Sequence, residues 1–141
     1  MSYTIDAYKH IALSEIHEFN GYYIFMRKDG IMQLLFKQGF SGDVSDARNM
    51  IETFKKISPD KKILALVIYQ DDNTFTKETR EFIAGDETSK VVAADALIIK
   101  GLALKIIGNG YLQINKPKRP TRIFNSVESG LKWLEQFLHV K

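Results

Sequence analysis

The decapeptide KKILALVIYQ, Lys61 to Gln70, holds an unbroken apolar run from Ile63 to Tyr69. A strand with one wet face alternates apolar and polar residues, so a run that is apolar at every position is expected to be covered on both faces. A chain built around such a strand must supply a layer on each side of it, which points to a sheet with helices packed against it.

The flanking sequence offers those layers. Asp43 precedes Val44, Ala47, Ile51 and Phe54, which recur at helical spacing, with Met50 and Ile57 beside them. Asp43 is the expected N-cap, and the helix should stop before Pro59. Beyond the central strand, FTKETREFIAGDETSK reads as a helix capped by Thr76, and Ala94 to Ile99 as a second buried strand. Leu102, Ala103, Ile106, Ile107, Gly110, Tyr111 and Ile114 mark the apolar face of a third helix. Thr121 to Phe124 reads as a short strand, and Val127, Leu131, Leu134 and Leu138 as the buried stripe of a last helix capped by Asn125 or Ser126. Glu128 sits three residues after Asn125, as in a capping box. Before all of this, YYIFMRK and IMQLLFK are joined by Asp29-Gly30, a pair suited to a type I′ hairpin turn. The expected fold is a single-domain α/β structure: a mixed sheet with an N-terminal antiparallel hairpin, then largely parallel strands, right-handed crossovers and about four covering helices. Residues 1–20 lack a clean period and read as an N-terminal arm or extra element, a candidate dimer contact, ahead of a domain at 21–141.

Composition narrows the function. A chain of 141 residues, 45% hydrophobic, suits one domain. It has no cysteine, hence no disulfide framework and no thiolate chemistry. His10, His17 and His139 are far apart and match no metal-binding spacing, and no nucleophile elbow or Gly-rich phosphate loop occurs. The expectation is a non-enzymatic protein without metal or cofactor. With neither a signal-peptide core nor a membrane span of ~20 apolar residues, it reads as soluble and cytoplasmic. The net charge of +3 is small, which makes nucleic acid an unlikely partner, although the stretch from Lys100 to Arg122 carries six cations and no acid.

From about Gly21 to Phe137 the chain resembles the STAS-like, SpoIIAA-like proteins, in particular a small bacterial branch labelled STAS/SEC14 domain-containing. The resemblance rests on the Asp29-Gly30 hairpin, on FTKETREF (Phe75 to Phe82), and above all on IGNGYLQINKPKRPTRIFNSVESGLKWL, where Gly108-Asn109, Asn115-Lys116-Pro117, Pro120-Thr121, Phe124 and Trp133-Leu134 match the recurring pattern. It implies a regulatory or protein-interaction module with a protein partner or a second copy of itself; the alternative it implies is a carrier or sensor of a small lipophilic ligand. The turn after the central strand, Asp71 to Thr76, lacks the D-S-x-G motif whose serine is phosphorylated in the anti-sigma-factor-antagonist relatives.

Three candidate sites follow. Asp72, Thr74 and Thr76 form a candidate switch loop, since a phosphate at a helix N-terminus meets free N–H groups; the plainer reading makes Thr76 a cap and Thr74 a turn residue. Gly108, Asn109, Gly110 and Tyr111 form a candidate ligand pocket, because two glycines inside a helix need a compensating close approach. Lys116, Lys118, Arg119 and Arg122 form a candidate anion surface, within a segment that Pro117 and Pro120 also suit to a stiff connector. Trp133, the only tryptophan, is expected to be wholly or partly in the core.

Overall fold

The structure is a computed structural model that describes residues 5–138. His139 therefore lies outside the described residues. Six strands form the main sheet in the order β1 (His17–Glu18), β2 (Tyr22–Met26), β3 (Met32–Phe36), β5 (Ile63–Ile68), β7 (Val92–Ile98), β8 (Thr121–Phe124). The first three run antiparallel, and β3, β5, β7 and β8 are mutually parallel. Two residues each from β4 (Ser41–Gly42) and β6 (Thr74–Phe75) make a separate parallel pair. Five helices complete the fold: α1 (Val44–Ile57), α2 (Lys77–Ala84), α3 (Asp86–Ser89), α4 (Leu102–Gly110) and α5 (Val127–Glu135). A 3-10 turn at Ile5–Ile11 precedes the sheet, and a π turn at Tyr111–Asn115 continues α4.

The strand order advances in one direction, so crossovers of a single hand place their helices on one face. Met50, Ile51 and Phe54 of α1, Ala84 of α2 and Leu104 of α4 accordingly share a core with Leu34, Ala65, Val67 and Leu97. The opposite face, Leu35, Leu64, Leu66, Ala96 and Ile98, is covered by Leu134, Leu131 and Trp133 of α5 and by Ile5 and Tyr8 of the N-terminal turn. All six residues of β5 are buried, as its apolar run requires.

Several expectations are refined. The Asp29-Gly30 turn is not type I′, because only Gly30 has positive φ (86°). Gly30 N–H donates to Arg27 at 3.0 Å and the Asp29 carboxylate accepts from Ile31 N–H at 3.2 Å, a longer loop closed by a left-handed glycine. The helix expected over Phe75 to Lys90 breaks at Gly85 into α2 and α3. Ser126, not Asn125, caps α5 by accepting from Ser129 N–H, so Glu128 closes no capping box. Leu138 is exposed rather than buried. The arm, proposed from sequence as a dimer contact, packs its Ile5 and Tyr8 on the chain's own sheet.

Candidate functional site

The largest departure from the sequence reading concerns the side of α4 that meets the sheet. Leu104, Gly108 and Tyr111 are buried, spaced as one helical stripe, whereas Leu102, Ile106 and Ile114 are 75%, 65% and 81% exposed. Tyr111 apart, the expected apolar face points outward. Nearly every position from Leu102 to Ile107 is apolar, so the periodicity could not choose a side. Gly108 chooses it: a Cβ there would stand 2.9 Å from Ile123 Cδ1 and 3.1 Å from Ile99 Cδ1, and only hydrogen lets the helix come so close. Of the candidate pocket residues, Gly108 and Tyr111 face the sheet. Asn109 is exposed, and Gly110 has nothing within 4 Å of where its Cβ would be.

Between this helix, α1, α2 and the sheet lies a cavity of about 100 Å³. Its walls are aliphatic and aromatic for the most part, with Leu34, Met50, Phe54, Val67, Leu97 and Leu104 among them. Phe36, Tyr69 and Phe75 contribute a ring cluster whose centroids are 5.1 to 5.9 Å apart. Polar groups come from Asp95, Arg119, Thr88, Arg80, Tyr69 and Tyr111.

Asp95 and Arg119 form a buried ion pair, their side chains 7% and 3% exposed. Arg119 donates from Nε and Nη2 to the two Asp95 carboxylate oxygens at 3.3 and 2.9 Å, and from Nη1 to the Ile83 carbonyl at 2.7 Å and Ser89 Oγ at 3.0 Å. Thr121 donates its hydroxyl to Asp95 as well. This fork ties the segment entering β8 to β7, to the end of α2 and to α3. Tyr111 O–H, by contrast, is buried with no acceptor for its proton, although the Arg119 guanidinium lies near its oxygen. Burial pushes the phenols of Tyr69 and Tyr111 well above their ordinary range, so both stay protonated.

The four residues expected to form an anion surface do not converge. Arg119 is turned inward against Asp95, because a lone acid in a buried strand needs a countercharge. Lys118 pairs with Asp86 at 2.8 Å and holds that carboxyl below its usual range. Arg122 lies over the Phe124 ring, 5.3 Å from its centroid, and Lys116 ends the π turn in a left-handed conformation. The switch-loop residues are likewise divided. Thr76 caps α2, accepting from Thr79 N–H at 3.2 Å. Thr74 Oγ1 pairs with Ser41 Oγ across the β4/β6 pair, and Asp72 accepts from Gly39 N–H at 2.9 Å. Sequence reasoning missed Asn73, 2% exposed, whose side chain bonds Gln70, Lys37 and Phe40 backbone atoms and locks this turn. It also missed Asp95, whose signal was present: one carboxylate inside the apolar run VVAADALII. Among the described residues no group of acidic and histidine side chains could hold a metal, and no helix is long and apolar enough to cross a membrane.

No curated protein matches the chain. A crystal structure of a protein with unknown function from Arthrobacter sp. FB24 is similar at 21% identity over 79% of this chain and 97% of that one, with a TM-score of 0.29. A family model described as "Domain of unknown function (DUF7793)" matches residues 24–138, a span from β2 to just beyond α5, and the chain belongs to that family.

Proposed function

We propose that this domain is a non-enzymatic binding module for a small apolar ligand, held between α4 and the sheet. The cavity carries the reading. Native cores keep few voids larger than a water molecule. The space of about 100 Å³ opens partly to solvent, so an apolar occupant can enter it and gains by removing its own surface from water. The size suits one ring or a short alkyl chain, and the apolar walls suit its chemistry. The resemblance to STAS-like proteins suspected of holding lipophilic ligands supports the same reading. The test is titration with methylenecyclohexane, followed by thermal unfolding and by the amide resonances of Leu104, Gly108 and Val67. Binding at a hundredfold excess over Kd should add about 2.7 kcal/mol of stability. Unchanged unfolding and unchanged resonances at saturation of the probe in water would sink the proposal.

A second reading, a protein-interaction module, rests on the outer side of α4. Leu102, Ile106, Ile107 and Ile114 are exposed there, on a stretch whose charges, Lys100, Lys105 and Lys116, are all cationic. Like charge disfavours two copies meeting through this face, so the partner it fits is a protein surface with an apolar centre and an acidic rim. Peptide display against the wild type, counter-selected with Ile106→Asp, should enrich acidic peptides with large apolar residues. Enrichment without acidic residues, or self-association through this helix in sedimentation experiments, would refute it.

A further inference from the structure

Two buried side-chain polar atoms make no well-directed hydrogen bond among the described residues, Gln33 Nε2 and the Tyr111 hydroxyl; the Arg119 guanidinium lies near the Tyr111 oxygen, but it can only donate and leaves the phenol proton without an acceptor. Gln33 does not border the cavity; Tyr111 does. Leaving a hydroxyl buried and unpaired is costly enough that native structures seldom do it without a reason. Tyr111 is 8% exposed, and its hydroxyl senses the charges of Asp95 and Arg119, which places that end of the ring at the polar part of the cavity. No acceptor there takes its proton in this structure. The Asp95 carboxylate is turned to Arg119 and Thr121, and the Ile83 carbonyl and Ser89 Oγ to Arg119.

Resting on the apolar-ligand reading, we infer that Tyr111 is the polar anchor of the site: its hydroxyl donates a hydrogen bond to an oxygen acceptor on a compact, neutral, carbonyl-bearing ligand. Neutrality follows from the charges. The Arg119 guanidinium is already balanced by a bidentate carboxylate, so a carboxylate ligand would lose its hydration without gaining a countercharge. Arg80, the other cation of the lining, is half-buried, donates to the Phe75 carbonyl at 2.6 Å and stays open to screening by solvent. The oxygen requirement follows from the donor, which the raised phenol keeps protonated at neutral pH.

The experiment compares cyclohexanone, methylenecyclohexane and cyclohexanecarboxylate on the wild type and on Tyr111→Phe. Tyr111→Phe should weaken cyclohexanone binding about tenfold, as for loss of one hydrogen bond, and leave the hydrocarbon's affinity equal or higher. The carboxylate should bind the wild type weakest of the three. If none of the probes binds, the apolar-ligand reading itself fails. If the probes bind and Tyr111→Phe affects ketone and hydrocarbon alike, the cavity reading stands and the anchor is wrong; tighter binding of the carboxylate overturns the neutral-ligand assignment. Should the variant not fold, the 13Cζ resonance of Tyr111 in the wild type decides: a shift on adding cyclohexanone but not methylenecyclohexane supports the anchor, and equal shifts remove it.

Discussion

Arg119 shows how far a single side chain's surroundings can differ from its sequence neighbourhood. In NKPKRPTR it is one cation among four, yet it alone is buried, and its fork holds Asp95, Ile83 and Ser89 in fixed relation. Removing one partner of such a pair strands the other charge. Arg119→Met should therefore cost about 3 to 5 kcal/mol, measured by denaturant unfolding. The double variant Asp95→Leu, Arg119→Met should cost less than either single change, because no charge is left uncompensated. The two helical glycines separate just as cleanly. Gly110 has helical φ and ψ (−60°, −43°) and open space beyond its Cα, so Gly110→Ala should stabilise the protein by about 0.4 to 1 kcal/mol. Gly108→Leu should destabilise it by about 1 to 3 kcal/mol through overpacking against Ile99 and Ile123.

At the scale of elements, caps and turns account for most of the boundaries. Asp43 accepts from Asp46 N–H at 3.0 Å while Asp46 returns the bond to Asp43 N–H at 2.9 Å, a reciprocal capping box at the start of α1. Asp43→Ala and Thr76→Ala should each cost about 1 kcal/mol, with helix content otherwise retained by circular dichroism. These caps, the hairpin, the buried strand and the stop near Pro59 were all legible in the sequence, since each depends on a few neighbouring residues. The orientation of α4 was not. Its segment is apolar on nearly every side, and the deciding contact, Gly108 against Ile99 and Ile123, joins α4 to β8 and to the residue just past β7. The cavity was hidden for the same reason: it is lined by side chains from β3 to Arg119, and no local pattern announces it. Gly108 and Tyr111 were nonetheless singled out, by the penalty glycine carries inside a helix.

For the whole molecule, burial of tyrosine sets the response to alkali. Tyr69 and Tyr111 have phenols raised by burial, whereas an unfolded tyrosine ionises near pH 10. Their contribution is intact below about pH 10 and is lost as pH rises beyond it, at about 1.4 kcal/mol per pH unit for each ring. Denaturant midpoints at pH 9, 10 and 11 should show this decline, and the double variant Tyr69→Phe, Tyr111→Phe should weaken it, leaving the part contributed by the Tyr22 phenol, which burial also raises. The two-faced sheet bears on synthesis as well as on stability. The six strands of the main sheet lie in the order in which they leave the ribosome, and α1, α2 and α4, which cover one face, alternate with them along the chain. Apart from Ile5 and Tyr8, the opposite face waits for Val127 to Glu135, so the growing chain carries Leu35, Leu66 and Ile98 without their helix until α5 follows the sheet. A nascent chain stalled before α5 is the form in which this protein most needs a chaperone.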